Sequence, residues 1–483
     1  FADDFARSFG MPRARLFNMI SEATPLREER PFSALVGLRE LRYSRAGLKA
    51  AYQLGSGPIR GLFAVPAPLQ ASVGSSWLAV SGGTIWSGAG ANLGTAAGSG
   101  RASFAASAQQ MVIVGGGTAY LFDPTRSASF QPIVNGVLPP ISSVAYLSDR
   151  FIYTAAGSNQ FWYSELSDAG NETGLDFATN ETEADVTQAV VVLDDELVFF
   201  GSQHIEFWQT TADATGPFAP IEGRGYQRGC YAPGSVAFAD NAYFWLAENG
   251  TVYRTANAPL RVSSPSIEDR IRQCSNAAAA TAFVATFEGH EFYVLTLPGV
   301  GSFAYDISRQ GVEMATYNEE SDRAQWDEWG SWGQETFRGS CSLQMGPSQV
   351  LIGDDTTNNI WSMEVGCWTD AGGPLERRAS AFIKIEEGTP RCTGLVLHCV
   401  MGVGNPSAAS PTVEMRYSDD LGRTFGDWRA APLNPMGVYG PPRAMWTRLG
   451  SMRAPGRLVE VRCTDPVDVV FSHIELNPVN PAR

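Results

Sequence analysis

The sequence predicts a mainly β protein: a β-propeller of six or seven blades followed by a C-terminal antiparallel β-sandwich. Three observations carry this expectation. First, a hairpin pattern occurs seven times, each time as two aromatic or β-branched runs around a polar, Gly-containing break. Its clearest example is Glu196–Trp208 (ELVFFGSQHIEFW). Second, the turns fall near Gly83, Gly116, Gly157, Gly201, Gly250, Gly299 and Gly353, at a spacing that widens from about 33 to about 54 residues. Most hairpins are preceded by a further short apolar run, such as Ile141–Tyr146 or Gln188–Leu193. Three or four strands at this period suit a propeller blade, which cannot bury both faces until the repeats close into a ring. Third, the pattern changes near Thr369–Leu375, and longer strands at a different spacing follow.

Taken in order, residues 1–60 read as an N-terminal arm with some strand, because the Arg- and Glu-rich Pro25–Leu41 lacks alternation. Residues 61–368 carry the blades. Two interruptions, Leu166–Asp185 and Thr211–Gln227, read as projecting loops. Ser266–Arg272 (SIEDRIR) reads as a short helix with Ser266 as its N-cap. Residues 376–483 form the sandwich, with strands expected at 379–386, 394–401, 412–417, 445–449, 457–463 and 467–476.

Composition narrows the function. The 483 residues carry a net charge of −15, which disfavours a surface that grips nucleic-acid phosphates. No apolar run reaches the length of a bilayer span, so no integral membrane contact is expected. The chain opens at Phe1 without a methionine, and no charged-then-apolar signal segment follows. Seven scattered cysteines contain no C-x-x-C pair, which fits free thiols in a reducing cytoplasm and offers no metal site. The four histidines fall singly in or beside apolar strands. There is no G-x-S-x-G, and Gly115–Gly117 lies inside a hairpin rather than at a helix start. No catalytic set and no cofactor is therefore expected.

Two constellations invite chemistry. Tyr417–Trp428 (YSDDLGRTFGDW) resembles the Asp-box turn of sialidases and other carbohydrate-active propellers, through Ser418, Asp420, Gly422 and Thr424. Its side chains suit the closing of a hairpin by bonds to backbone N–H groups, a structural turn, and retaining sialidase chemistry would need a set that this sequence does not mark. Glu319–Trp332 places Trp326, Trp329 and Trp332 at spacing three among carboxylates. They read either as interface aromatics or as a sugar-binding strip with paired acids. A carbohydrate-binding or glycoside-cleaving propeller thus stays open as an alternative, as does a soluble scaffold with cellular partners.

A series of short motifs occurs in a recognisable order: Phe17-Asn18-Met19, Gly98–Arg101 (GSGR), Gly201–Phe207 (GSQHIEF), Ala237–Asp240 (AFAD), Ser266–Arg272, His290–Pro298 (HEFYVLTLP) with Tyr305-Asp306, and Trp446–Arg453 (WTRLGSMR). In this the chain resembles the packaged-DNA stabilisation proteins of short-tailed bacteriophages, which form the tail hub or nozzle. The resemblance implies a non-enzymatic virion tail protein, assembled in the host cytoplasm as a homo-hexamer below the portal and adaptor ring. It further implies a continued DNA channel with loose DNA contact, and attachment of tail fibres or spikes and a plug or needle. An acidic wall fits such a conduit, because it lets DNA slide where a basic lining would hold it.

Overall fold

In the computed structural model, which describes residues 15–22, 41–172, 176–179, 185–213, 216–309, 326–334, 336–347, 349–385 and 388–479, the first five signalled hairpins are the middle of four-stranded antiparallel sheets and the last two lie within larger mixed sheets. Five successive sheets have four strands each, from Ile59–Ala64 in the first to Leu260–Arg261 in the fifth. The sixth is built on Thr281–Phe287 and His290–Leu297, and the seventh on Gly339–Gly346, Gln349–Asp354 and Asn359–Glu364. The protein is mainly β, and no helix among the described residues is long and apolar enough to cross a membrane.

Packing divides the chain into two compact units: residues 50–302 with 336–362, and residues 1–49, 303–335 and 363–483. In the first, strand alternation sends successive side chains into different seams between blades. Phe199 and Trp208 enter the core between blades three and four. Phe200, Phe207 and Trp245 enter the one between blades four and five. Phe244 stacks on Tyr293 of blade six at 5.2 Å, and Phe283 of blade six meets Phe337 of blade seven at 5.7 Å. The ring closes where Ile59, Leu62 and Trp77 of blade one share a core with Cys341, Leu351 and Ile360 of blade seven. The chain itself fastens that closure. Residues 50–53 run beside the outer strand of blade seven, where the Leu54 N–H donates to the Asn358 carbonyl at 3.0 Å. A strand from before blade one thus completes blade seven, which spares the ring an open joint.

Three local expectations are corrected. Thr211–Gln227 is not wholly loop: Phe218–Tyr226 is the outer strand of blade four. Most of its residues are exposed, so it needs no apolar alternation, and Pro220 is tolerated because the strand lies at an edge. Leu166–Asp185 likewise contains the outer strand Phe177–Thr179 of blade three. The helix runs Pro265–Gln273 with Ser264, not Ser266, at the N-cap. Proline at the first helical position fits there because its missing N–H would have no partner.

The second unit joins segments distant in sequence. One sheet runs from Trp326–Trp329 through Arg15–Phe17, Arg377–Lys384, Gly456–Cys463 and Thr412–Ser418 to Arg429–Pro432. The other orders Met19–Glu22, Leu41–Ser44, Val470–Val479, Arg391–Cys399 and Arg443–Thr447. Both contribute to one core, with Ala379, Val413, Met415, Val459 and Val461 from the first and Leu395, Leu397, Trp446, Phe471 and Ile474 from the second. The portion of the arm at 23–40 lies outside the described residues.

Candidate functional site

Apolar packing alone would let blades slide, since it has no direction. Here every seam of the propeller is also crossed by a directed hydrogen bond. Blade two's Ala102 N–H donates to the Arg60 carbonyl of blade one at 3.0 Å. The Ser103 hydroxyl accepts from the Val144 N–H at 3.1 Å, and that of Ser143 from the Val190 N–H at 2.9 Å. The Tyr243 hydroxyl donates to the Val192 carbonyl at 3.0 Å, and that of Tyr293 to the Ser235 carbonyl at 2.9 Å. Ser342 donates to the Val284 carbonyl at 2.6 Å, and Ser340 to the Ile59 carbonyl at 2.9 Å. Each such bond contributes about 1 kcal/mol net, and together they hold the blades in register around the axis.

Two arginines set the bore. Buried Arg60 spends its guanidinium on the carbonyls of Gly82, Ala96, Ala97 and Gly100, at 2.6–2.9 Å. That fixes the GSGR segment and aims Arg101 inward. Arg101 belongs to the entry of blade two, yet its Nη1 donates to Gly234 at the entry of blade five (2.7 Å) and to Ala282 of blade six (2.9 Å). Blades two and five to six are opposed in a seven-sheet ring, so the side chain spans the axis. Desolvation of its guanidinium among the blade entries lowers its pKa, although the residue keeps some accessible surface.

The tryptophan cluster belongs to a polar node in the second unit. Trp329 is fully buried and Trp326 nearly so, whereas Trp332 is 47% exposed. Above Trp329 lies the guanidinium of Arg45, 5.7 Å from the ring centroid. Arg45 is itself fully buried and donates to the Asn18 Oδ1 (2.7 Å), to the Ala46 and Gly330 carbonyls, and to Asp370 (3.4 Å). Asn18, at a left-handed φ of 55°, donates to the carbonyls of Gly330 and Glu376 and accepts from the Gly330 N–H. Asp370 accepts from the Trp332 N–H at 2.8 Å. The node ties residues 15–22 to 326–332 and 370–377. The two buried indoles have no face free for a sugar ring, and Glu319 to Asp322 of the acidic stretch lie outside the described residues.

The Asp-box residues do come together. The Asp420 carboxylate accepts from the Thr424 hydroxyl (2.6 Å), the Thr424 N–H (2.9 Å) and the Ser418 hydroxyl (2.7 Å), in that order the causes that hold its pKa well below the usual range. Ser418 accepts from the Gly422 N–H at 2.9 Å, and Gly422 takes the positive φ of 88° that the turn requires. The aromatics of this hairpin are occupied: Arg416 lies 4.1 Å from the Phe425 centroid and 4.4 Å from that of Trp428, whose ring also meets Arg462 at 4.0 Å. Asp420→Ala is expected to lower the melting temperature by loosening the turn, with no catalytic loss, checked by thermal unfolding beside a panel of glycan-release assays.

One buried acid has no place in these arrangements. Glu172 is 5% exposed, its Oε2 accepts from Asn135, and its Oε1 has no partner. Burial pushes its pKa up to about 8. The folded pKa is above the ordinary glutamate value of 4.5. The stability from keeping it neutral is therefore complete below that value and lost as the pH rises through about 8. Thermal unfolding followed across this window should show a declining melting temperature that Glu172→Gln flattens.

Among the described residues, no group of three or more His, Cys, Asp or Glu could hold a metal, and all seven cysteines are free. A family model described as the bacteriophage P22 Gp10 β-propeller, of phage stabilisation proteins, matches residues 73–363. No curated protein matches the chain. Solved structures with similarity include PorZ, a surface component of the type-IX secretion system of Porphyromonas gingivalis, at 10% identity over 80% of this chain and 46% of that one, TM-score 0.36. This chain thus spans less than half of that protein's length. YCF48 bound to a D1 peptide matches at 10% identity, 67% and 98% coverage and TM-score 0.38. The N-terminal domain of Nup159 does so at 9%, 67%, 95% and 0.37.

Proposed function

This chain belongs to the phage stabilisation family, the β-propellers of the bacteriophage P22 Gp10 type, and from that premise we propose that it is a structural part of a virion tail that holds packaged DNA. The family is one of phage structural proteins rather than known enzymes. In the finer reading six copies form a ring below the portal and adaptor, assembled in the host cytoplasm, that carries fibres or spikes and a closing plug. The C-terminal unit, two sheets around one core, is read as a β-sandwich.

The observation that carries the reading is the family match over most of the propeller. Physical features support it. Arg101 bridges the bore of the single propeller, so a duplex would run through a lumen between copies and not through any one chain. A net charge of −15 lets DNA pass such a wall without being held. The covered Phe425 and Trp428 faces and the buried Trp326 and Trp329 speak against a sugar strip. Electron microscopy of the particle tests the reading. It expects this propeller in a six-fold ring at the tail vertex, and its absence from the tail would refute it.

A further inference from the structure

A ring of identical copies needs a surface on each chain that complements a different surface of the next, and the apolar tip of the second unit offers one. Residues 430–442 (AAPLNPMGVYGPP) carry no charge. Their tip exposes Met436 (67%), Val438 (52%) and Tyr439 (83%). The tip is nevertheless held in place. Gly402 N–H donates to Leu433 at 2.8 Å and Cys399 N–H to Pro442 at 3.1 Å, while Val438 N–H closes a turn on Pro435 at 3.0 Å. Gly437 supplies that turn's φ of 73°. An ordered backbone presenting three large apolar side chains to water has little conformational entropy left to lose on docking. Arg429 and Arg443 stand at its two ends.

Charge points to the acceptor. Residues 377–483 hold thirteen basic against ten acidic residues, whereas the propeller unit holds eleven against twenty-three. The turns between the first and second strands all lie at one end of the bore. In blades three to six they carry Asp149, Asp194, Asp195, Asp240 and Glu288. On the inner strands next to these turns, Phe238 of blade five is 49% exposed and Met345 of blade seven 39%. Exposed apolar side chains at an end of the bore that carries acidic turns complement an apolar tip flanked by arginines.

We propose that the 434–442 tip of one copy docks on the acidic end of the propeller bore of the next, around Phe238 and Met345. The inference rests on the ring reading above. A bilayer with anionic headgroups fits the tip less well, because the chain as a whole is strongly acidic.

The test adds purified full chain to tail-less, DNA-filled heads and measures ring assembly against protein concentration. Tyr439→Asp and Met436→Asp should each raise the required concentration about tenfold or more, with melting temperature unchanged because both sites are exposed. Tyr439→Phe should assemble normally. Neutralising the acceptor with Asp194→Asn and Asp195→Asn, which keep residues tolerant of positive φ, should weaken assembly and reduce its salt dependence. Tyr439→Cys paired with Phe238→Cys should give an oxidative ladder of linked copies. Normal ring assembly by Tyr439→Asp, or capture of the tip by anionic vesicles with no ladder, overturns the docking and leaves the ring reading standing. Failure of the wild-type chain to form any ring overturns both.

Discussion

Replacement of Arg45 by alanine is expected to destabilise the second unit by about 3–5 kcal/mol, because it leaves a buried carboxylate without its cation. Asp370 is 2% exposed and faces Arg45 at 3.4 Å. The same change removes the bonds to the Gly330 carbonyl and to the Asn18 Oδ1, each of which keeps its other partner within the node. Arg45→Lys should rescue little, since a single ammonium cannot serve the four acceptors that the planar guanidinium reaches at once. Urea unfolding followed by Trp329 fluorescence would check this. A loss below about 1 kcal/mol would mean that the node adds little to the strand pairing that already holds Arg15–Phe17 in the sheet.

Trp245→Ala should be as costly in the propeller, about 3–5 kcal/mol for a fully buried indole. The ring packs on Phe200 at 5.6 Å, Tyr226 at 6.2 Å and Tyr253 at 5.8 Å, across the seam of blades four and five. Trp245→Phe should cost clearly less, because the indole Nε1 is buried without a partner and its removal relieves that penalty. Equal losses for the two variants, measured by chemical denaturation, would show that the N–H has a partner the structure does not reveal.

The hairpins were legible because aromatic and β-branched runs flank turn residues, a signal set by burial on both faces of each sheet. Outer strands such as Phe218–Tyr226 were not. They are exposed, interrupted by Pro220 and Gly223, and held mainly by backbone bonds to which side-chain patterns are blind. Asn18 and Gly98–Arg101 stood out as motifs, but their roles come from partners far along the chain: Gly330 and Glu376 for Asn18, and Gly234 and Ala282 for Arg101. The ring-closing residues 50–53 could not be assigned to blade seven from sequence, since nothing local says which blade lacks a strand. The four Asp-box residues were readable because their bonds are made within seven positions.

The most direct test of the tail function adds the purified chain to tail-less, DNA-filled heads and measures retained DNA over time. The account predicts that DNA stays inside heads that acquire a six-fold ring of this protein, and that the isolated chain binds free duplex only weakly. Heads that neither bind the chain nor keep their DNA, or tight, salt-sensitive binding of free duplex by the chain alone, would contradict it.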